Sequence, residues 1–293
     1  MQKVIAKINI TNIRNNAKVF KERTKRKLCA VVKANAYGHG AEEVVNALEQ
    51  IADCFAVALI EEGLSIRTVA CGKDILIFTP PLTEEEVVSI AENNFTATVA
   101  DLWTAKLVLG VCEKRNLRIK VHLKVNTGMN RYGMNGSMLG KVCKLFCGKD
   151  CVQVEGIYSH LYAFDRSKAV KQRDLFMRFT AIAKRYFPDI TAHLGGTYAA
   201  MLDESFFFDM TRVGIGLYGY LPCKSEGGHI VVKKAMQVYA KTVASRTYAF
   251  GGKGYGKDCS KKERLTLKRL SVCRFGYADG FLRKRKNGVF AEE

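Results

Sequence analysis

Short apolar runs rich in β-branched residues recur along the first 220 residues, and amphipathic segments with helical spacing separate them. In chain order the eight runs are LCAVVKA (28–34), FAVALI (55–60), DILIFT (74–79), TATVA (96–100), RIKVHLKV (118–125), VEGIYSH (154–160), ITAHLGG (190–196) and MTRVGIGLYG (210–219). Strands that alternate with helices at this interval predict parallel βαβ units. Eight units favour an α/β fold of the (β/α)8 TIM barrel type, which typically takes about 250 residues, and a doubly wound sheet is the alternative.

The pattern changes after residue 223. Residues 230–250 lack helical punctuation and indicate β-structure, and LKRLSVCRFGYADGF further on predicts another strand and a turn. We therefore predict a barrel domain over residues 1–223 and a C-terminal all-β domain over residues 224–293. About seventy residues with few apolar runs make a marginal independent core, so we expect this β-domain to be incomplete.

Composition is that of an ordinary globular protein, with 48% hydrophobic and 26% charged residues. No run approaches the roughly eighteen apolar residues of a membrane-spanning helix, and the N-terminus lacks the apolar centre of a signal peptide. We expect a cytoplasmic protein, without membrane association, whose ten cysteines are reduced. Cys143, Cys147 and Cys151 are evenly spaced, but no nearby CxxC or histidine completes a zinc set, so we expect no metal.

The formal net charge of +19 suggests a nucleic-acid-binding protein as one hypothesis. However, the basic residues are spread along the whole chain, with local clusters at residues 21–27, 261–269 and 281–288. No helix-turn-helix pattern, zinc finger or ribonucleoprotein signature accompanies them. We interpret the basic residues as lying on solvated faces and expect no specific nucleic-acid partner. The nucleic-acid hypothesis would instead predict association that weakens as salt increases.

Polar residues stand at the predicted carboxyl ends of the strands, where barrel enzymes carry their chemistry. They are Lys33 and Tyr37 after the first strand, Arg131 after the fifth, His160 at the sixth, Thr197 after the seventh and Arg212 at the eighth. Glycines at positions 195, 196, 214 and 216 let backbone amides approach a ligand closely. A lysine on the first strand and a phosphate cradle on the last two suit pyridoxal 5'-phosphate, which binds covalently to lysine.

Six stretches of this sequence resemble the alanine racemase family, and they occur in the family's order. They are AVVKANAYGHG, LKVNTGMNRYGM, YSHLYAFD, TRVGIGLYGY, GYG at 254–256 and GYADGFLR at 276–283. The resemblance implies a pyridoxal phosphate enzyme with a barrel and a β-domain. It implies that this enzyme is a homodimer with shared active sites. It also implies interconversion of L-alanine and D-alanine, which supplies D-alanine for peptidoglycan. Family members continue well beyond GYADGFLR, so the resemblance implies truncation at the C-terminus.

The resemblance also assigns roles to individual residues. Lys33 resembles the lysine that holds the cofactor and acts as one catalytic base, and Tyr255 resembles the second base, which comes from the partner subunit. Arg212 is similar to the arginine that faces the pyridine nitrogen, and His160 to the histidine between that arginine and the tyrosine. Arg131 resembles the arginine near the cofactor's phenolic oxygen and the substrate carboxylate.

Phosphate contacts are implied for a further set of positions, namely Tyr37, Thr197 and the amides of Gly214 and Ile215. The family prefers asparagine and serine where this chain has Gly196 and Thr197, but a threonine hydroxyl can still donate to phosphate. Lys124 matches a lysine that the family often carries as a carbamate. We therefore hypothesise that Lys124 is carbamylated and pairs with Arg131.

Racemisation needs a base on one face of the α-carbon and an acid on the other. Lys33 and Tyr255 would supply them, although free lysine and tyrosine side chains both titrate at about 10 and need help at neutral pH. Neighbouring cations in the chain Tyr255–His160–Arg212 would stabilise the phenolate. An arginine at the pyridine nitrogen cannot accept a proton, so it keeps that nitrogen unprotonated and should suppress transamination.

Two further hypotheses stay open beside an alanine racemase. A serine racemase of the same architecture is one, because residues that gate side-chain size lie partly in the segment that follows in the family. A truncated protein that binds the cofactor with little or no turnover is the other. It would retain the cofactor's absorbance without changing the optical rotation of L-alanine.

Overall fold

The computed structural model describes residues 4–223, 230–248 and 268–280. The chain divides into two compact units, Asn9–Ala235 and a second unit of Met1–Ile8 with Met236–Glu293. The first of these units ends at Ala235, twelve residues beyond residue 223, where the barrel domain was expected to end. The division also gives the first strand, β1 (Val4–Ile8), to the second unit, because β1 pairs with β10 (Met236–Ala240).

Eight parallel strands form one sheet in the described part of the first unit. They are β2 (Lys27–Val31), β3 (Cys54–Val57), β4 (Ile75–Ile77), β5 (Thr96–Val99), β6 (Ile119–Lys124), β7 (Val152–Tyr158), β8 (Thr191–His193) and β9 (Met210–Val213). Their order in the sheet is β8-β7-β6-β5-β4-β3-β2-β9. Backbone hydrogen bonds from Asp209 to Ala192 and from Arg212 to Gly195 link the two end strands. The predicted (β/α)8 barrel is confirmed.

Helices follow the strands and surround the barrel. The described helices are α1 (Ile10–Thr24), α2 (Lys33–Gly38), α3 (Ala41–Leu48), α4 (Ile60–Arg67), α5 (Glu84–Glu92), α6 (Leu102–Arg115), α7 (Gly136–Phe146), α8 (Arg166–Lys184) and α9 (Thr197–Met201). Side-chain caps fix several starts: Asp101 accepts from the Thr104 amide at 2.7 Å and Asp165 from the Lys168 amide at 2.9 Å. Asn116 ends α6 in the left-handed conformation, and its amide donates to the Cys112 carbonyl.

The barrel strands are buried on both faces. Every residue of β4, β5 and β9 is buried, which is why their sequences are continuous rather than alternating apolar runs. Buried polar side chains among these strands include His122, Lys124, His193 and Arg212. A buried polar group is costly without a hydrogen-bond partner. These residues therefore indicate the part of the barrel that has a role other than packing.

The second unit contains two antiparallel strand pairs among its described residues. In the first pair Val4 lies opposite Ala240 and Ile8 opposite Met236. The second pair joins β11 (Thr242–Tyr248) to β12 (Lys268–Cys273), and a 3-10 turn at Tyr277–Asp279 follows. The β-structure predicted for this part of the sequence is confirmed. No described helix is both long enough and apolar enough to cross a bilayer.

Candidate active site

Lys33 is placed at the carboxyl end of β2 by a turn with an unusual backbone. β2 ends at Val31 rather than at residue 34 as expected, and α2 begins at once. Ala34, Asn35, Ala36 and Tyr37 have φ angles of 53°, 51°, 53° and 55°, so one turn is left-handed. This conformation costs roughly 1–2 kcal/mol for each residue with a side chain. Strain of this kind persists only where the surroundings hold it, and it is concentrated at functional sites.

Several hydrogen bonds hold this left-handed turn. The Ala36 amide donates to the Val32 carbonyl at 2.8 Å, and the Asn35 side chain accepts from the Ala41 amide at 2.8 Å, at the start of α3. The Ala34 amide donates to the Glu62 carboxylate at 2.6 Å. These contacts present Lys33, which is half-buried, and Tyr37, which is 38% exposed, at the same end of the barrel.

Arg212 lies on β9 inside the barrel and is 3% exposed. Its Nη1 donates to His193 Nδ1 at 2.7 Å and to the His193 carbonyl at 2.9 Å. Its Nη2 donates to the carbonyls of Ser159 and Leu194 at 2.6 and 3.2 Å and reaches His160 Nδ1 at 3.3 Å. All four terminal N–H groups are therefore used, while the Nε–H has no hydrogen bond to the described residues. The geometry leaves one donor for a ligand atom that accepts.

A buried histidine pair continues from Arg212 down the barrel. His193 Nε2 lies 3.0 Å from His122 Nδ1. Because arginine only donates, His193 Nδ1 must accept, so its Nε2 carries the proton and donates to His122. The Tyr158 ring stacks on His193 with centroids 5.0 Å apart, and the Arg212 guanidinium lies 5.1 Å from the same ring. This packing holds Arg212 in one orientation.

His122 sits where a bulge lets it fit. The register between β6 and β7 shifts at Val121/His122, and a Cβ on the facing Gly156 would come within 2.5 Å of the His122 ring. The ring borders a cavity of about 630 Å³ that is lined by residues from the opposite, amino-terminal ends of the strands. Neither Lys33 nor Arg212 lines that cavity, so the cavity does not mark the end of the barrel that carries Lys33.

Positive charges cluster around His160 at the carboxyl ends of the strands. Burial, then Arg212, Lys124, Arg131 and Lys33, lower the pKa of His160 to about 3, so this imidazole is neutral at neutral pH. Burial, then Arg212 and Arg131, lower the pKa of Lys124 to about 7. Contacts agree with this clustering: Arg212 Nη2 lies 3.3 Å from His160 Nδ1, and Lys124 Nζ and the Arg212 guanidinium lie 5.3 and 5.1 Å from the Tyr158 ring. The structure thus gathers Lys33, Arg131, His160 and Arg212 into one electropositive site.

Lys124 and Arg131 both lie near the Tyr132 ring. The Lys124 amine lies 5.6 Å from the Tyr132 ring and donates to the Val125 carbonyl at 2.9 Å. The Arg131 guanidinium lies 5.2 Å from that ring. Arg131 stands in a loop that is closed by two backbone bonds of 2.9 Å, from the Asn126 amide to the Met134 carbonyl and from the Met134 amide to the Lys124 carbonyl, which keep its position relative to β6.

Glycines open a concave surface beside the turn that carries Tyr37. A Cβ on Gly214 would lie 2.9 Å from the Tyr37 hydroxyl, and one on Gly196 would lie 3.3 Å from His160 Cε1. Both glycines precede short helical turns, at Thr197 and Ile215, that begin without a side-chain cap. The Thr197 hydroxyl accepts from the Gly216 amide at 3.2 Å, which ties these two turns together. The arrangement suits an anionic group that accepts from backbone amides.

The predicted site residues have different outcomes in the structure. Those within the last two residues of a barrel strand or in the segment that follows it are Lys33, Tyr37, Lys124, Arg131, His160, Thr197, Arg212, Gly214 and Ile215. Tyr255 lies outside the described residues. Sequence reasoning did not give roles to His122, Tyr158, His193 or Glu62. The alternation of Lys120, His122 and Lys124 on one strand was the available signal for an inward polar face.

The fold and this site define a (β/α)8 barrel enzyme with a lysine at the end of its first barrel strand. The family model described as alanine racemase, N-terminal domain, matches residues 8–222. The alanine racemase of Methanococcus maripaludis is 34% identical over 97% of this chain and 78% of its own length. That of Nostoc sp. is 31% identical over 98% and 76%.

Solved structures agree with these relatives. The biosynthetic alanine racemase from Pseudomonas aeruginosa superimposes with a TM-score of 0.86 at 27% identity, covering 97% of this chain and 78% of that one. The alanine racemase from Bartonella henselae, solved with covalently bound pyridoxal phosphate, gives a TM-score of 0.81 at 28% identity, with the same coverage of 97% and 78%. The chain belongs to the alanine racemase family, and its activity is that of a racemase, an isomerase.

Proposed function

We propose that this chain is a pyridoxal phosphate-dependent racemase that interconverts L-alanine and D-alanine and supplies D-alanine for peptidoglycan. The observation that carries the proposal is the meeting of Lys33, His160 and Arg212 at one end of the barrel, beside the glycine-lined surface at Gly196 and Gly214. The covalently bound pyridoxal phosphate of the Bartonella henselae relative supports the cofactor.

The residues present fit this cofactor. Lys33 would offer the amine for covalent attachment, and Tyr37, Thr197 and the amides of Gly214 and Ile215 would hold the phosphate. In support, Gly214 lies beside the Tyr37 hydroxyl, and the Thr197 hydroxyl accepts from the Gly216 amide. The Nε–H of Arg212 suits the pyridine nitrogen. Because a guanidinium cannot accept a proton, this contact requires the nitrogen to be unprotonated. A carboxylate in the same place would favour the protonated ring.

The proton transfers belong to this chain's own side chains. Pyridoxal phosphate, when bound, delocalises the electron pair that remains on the α-carbon after proton removal. Lys33 takes or returns the proton at its Nζ on one face of the substrate. Tyr255 does the same at its hydroxyl on the other face, and Arg131 orients the substrate carboxylate. His160, neutral beside Arg212, accepts from the Arg212 guanidinium at Nδ1 and leaves its Nε2–H to donate toward Tyr255.

Two features complete the proposed enzyme. The chain forms a homodimer in which Tyr255 of the partner subunit reaches this site, as the family resemblance implies. Lys124 is carbamylated and pairs with Arg131: the lowered pKa of its amine, about 7, leaves a neutral fraction at neutral pH that can add to carbon dioxide and release a proton. As a bare amine, Lys124 lies among like charges, so a negative group there would remove an electrostatic conflict.

The test is covalent trapping together with turnover on the same sample. Purified chain incubated with pyridoxal phosphate is reduced with borohydride, digested and mapped, and an unreduced portion is assayed with L-alanine and with L-serine. We expect the label on Lys33 and racemisation of L-alanine to exceed that of L-serine. Lys33→Ala should abolish both the label and turnover, whereas Lys120→Arg, a lysine change on the barrel's other end, should preserve them.

Different failures separate the alternatives. Label on Lys33 without turnover of either amino acid would indicate a cofactor-binding protein only. Faster turnover of L-serine would assign the serine racemase. Label at another lysine, or none at all, would contradict the proposed site.

A further inference from the structure

Glu62 accepts three backbone hydrogen bonds from two separate segments of the barrel. Its Oε2 accepts from the amides of Ala58 at 2.7 Å and Leu59 at 3.2 Å, immediately before α4. Its Oε1 accepts from the Ala34 amide at 2.6 Å. One carboxylate therefore joins the segment after β3 to the first residue beyond Lys33.

Helix capping accounts for only one of the two oxygens. Glu86 occupies the same third position in α5 that Glu62 occupies in α4, and its Oε2 accepts from the Leu82 amide at 2.6 Å. Both glutamates thus reach back to the residue before the helix cap. In the described part of the chain, only Glu62 of this pair also reaches another βα unit. The contact to Ala34 is the feature that capping does not require.

Ala34 is where this extra contact has most effect. It is the first of the four left-handed residues, so the direction of its amide sets the turn that follows. The bonds from Ala36 to Val32 and from Ala41 to Asn35 lie within the segment itself and move with it. Glu62 comes from the neighbouring unit and can hold the segment against the rest of the barrel.

We propose that Glu62 is a positioning residue for the catalytic end of the barrel. By anchoring the Ala34 amide it holds the left-handed turn, and this turn presents Lys33 and Tyr37 to the cofactor. The inference rests on the proposed function in taking these two residues as cofactor contacts. The anchoring of Ala34 itself can be tested without any cofactor.

The central variant is Glu62→Gln, with Glu86→Gln as the matched control. A glutamine keeps one acceptor oxygen, so it cannot satisfy both the α4 start and Ala34. We expect the dissociation constant for pyridoxal phosphate to rise about tenfold and kcat for L-alanine to fall about tenfold, as for the loss of one charge-assisted hydrogen bond. Glu86 uses a single oxygen, so Glu86→Gln keeps an acceptor for the Leu82 amide and removes only the charge at the matching helix position; it should change each value less than about twofold.

A second substitution distinguishes positioning from a general loss of stability. Glycine adopts the left-handed conformation without steric cost, so Ala34→Gly reduces the need for an anchor. Added to Glu62→Gln, it should recover at least about half of the lost cofactor affinity on a logarithmic scale. A purely structural role for Glu62 in α4 would give no such recovery, because Ala34 lies outside that helix.

Hydrogen exchange measures the anchor directly. In the wild-type chain without cofactor, we expect the Ala34 amide to exchange at least about a hundredfold more slowly than an unprotected amide. This measurement decides the proposal even if Glu62→Gln does not fold. An unprotected Ala34 amide, wild-type cofactor affinity in Glu62→Gln, or an equal loss in Glu86→Gln would each overturn it. A wild-type chain that takes up no pyridoxal phosphate would instead refute the proposed function.

Discussion

Lys124 shows how the barrel interior changes the chemistry of one side chain. It is 3% exposed, and burial together with Arg212 and Arg131 lowers its pKa to about 7. Only the neutral amine adds to carbon dioxide, forming a carbamate and releasing a proton. With 13C-labelled bicarbonate we expect one carbamate carbonyl signal. Its intensity should rise between about pH 6 and about pH 8, because the neutral fraction of the amine increases through its pKa.

The same strand provides the control for this experiment. The Lys120 amine donates to Asp74 at 2.7 Å, and this hydrogen bond raises the pKa of Lys120, so its amine stays charged. Lys120→Arg should leave the carbamate signal unchanged, whereas Lys124→Arg should remove it. A signal that persists in Lys124→Arg would contradict the assignment. A native mass spectrum in which the chain lacks the added mass of one carbon dioxide would also contradict it.

The predictability of the site depends on where each residue lies along its strand. Lys33, His160 and Arg212 were predicted because barrel topology brings the carboxyl ends of all eight strands together. His122 and His193 lie further inside. Polar alternation at Lys120, His122 and Lys124 indicates an inward face of β6. Nothing in the sequence pairs His122 with His193 or His193 with Arg212, because these partners are 71 and 19 residues apart along the chain.

At the level of elements, α2 is the feature with the clearest consequence. Ala34 is exposed and left-handed, so Ala34→Gly removes an unfavourable steric contact, although it adds freedom to the unfolded chain. We expect the free energy of unfolding to stay level or rise by up to about 1 kcal/mol. Denaturant unfolding followed by circular dichroism measures this difference.

Ala181 provides the matched comparison for this substitution. It is exposed in the right-handed helix α8, where Ala→Gly removes helix propensity without relieving any strain. Ala181→Gly should therefore lower the free energy of unfolding by roughly 0.5–1 kcal/mol. Equal destabilisation by the two substitutions would show that the turn is not left-handed in solution.

The left-handed turn also marks the limit of prediction at this scale. The apolar run 28–34 predicts a strand through Ala34, and its first part is a strand. The departure after Val31 depends on contacts with Glu62 and Tyr218, whose hydroxyl donates to the Val31 carbonyl at 3.0 Å. Glu62 is 28 residues from Ala34 and Tyr218 is 187 residues from Val31, so local sequence propensity cannot predict these contacts.

For the molecule as a whole, repeated local patterns were sufficient to predict the barrel. Each βα unit is recognisable alone, and eight in a row leave few alternatives to closure. The partner of β1 was not predictable in the same way. Val4 pairs with Ala240, and a short strand gives no sequence signal for a partner so distant along the chain.

The buried histidines affect the stability of the entire barrel. Burial, followed by the charge of Arg212, lowers the pKa of His122 to about 3 and that of His193 well below its ordinary value. Burial, followed by the charge of Arg212, likewise lowers the pKa of His160 to about 3. Between about pH 6.5 and about pH 3, these histidines are protonated in the unfolded chain and neutral in the folded chain. The free energy of unfolding should therefore fall with falling pH by about 1.4 kcal/mol per pH unit for each histidine.

His122→Asn isolates one histidine from the carboxylates that also titrate in acid. Asparagine keeps an acceptor for the His193 Nε2–H but binds no proton. Urea unfolding at about pH 6, 5 and 4 should give a slope shallower than wild type by about 1.4 kcal/mol per pH unit, the contribution of one proton. The variant should thus lose less stability in acid than the wild-type chain. Parallel slopes would mean that His122 is already protonated in the folded barrel, and the proton order from Arg212 through His193 would then be wrong.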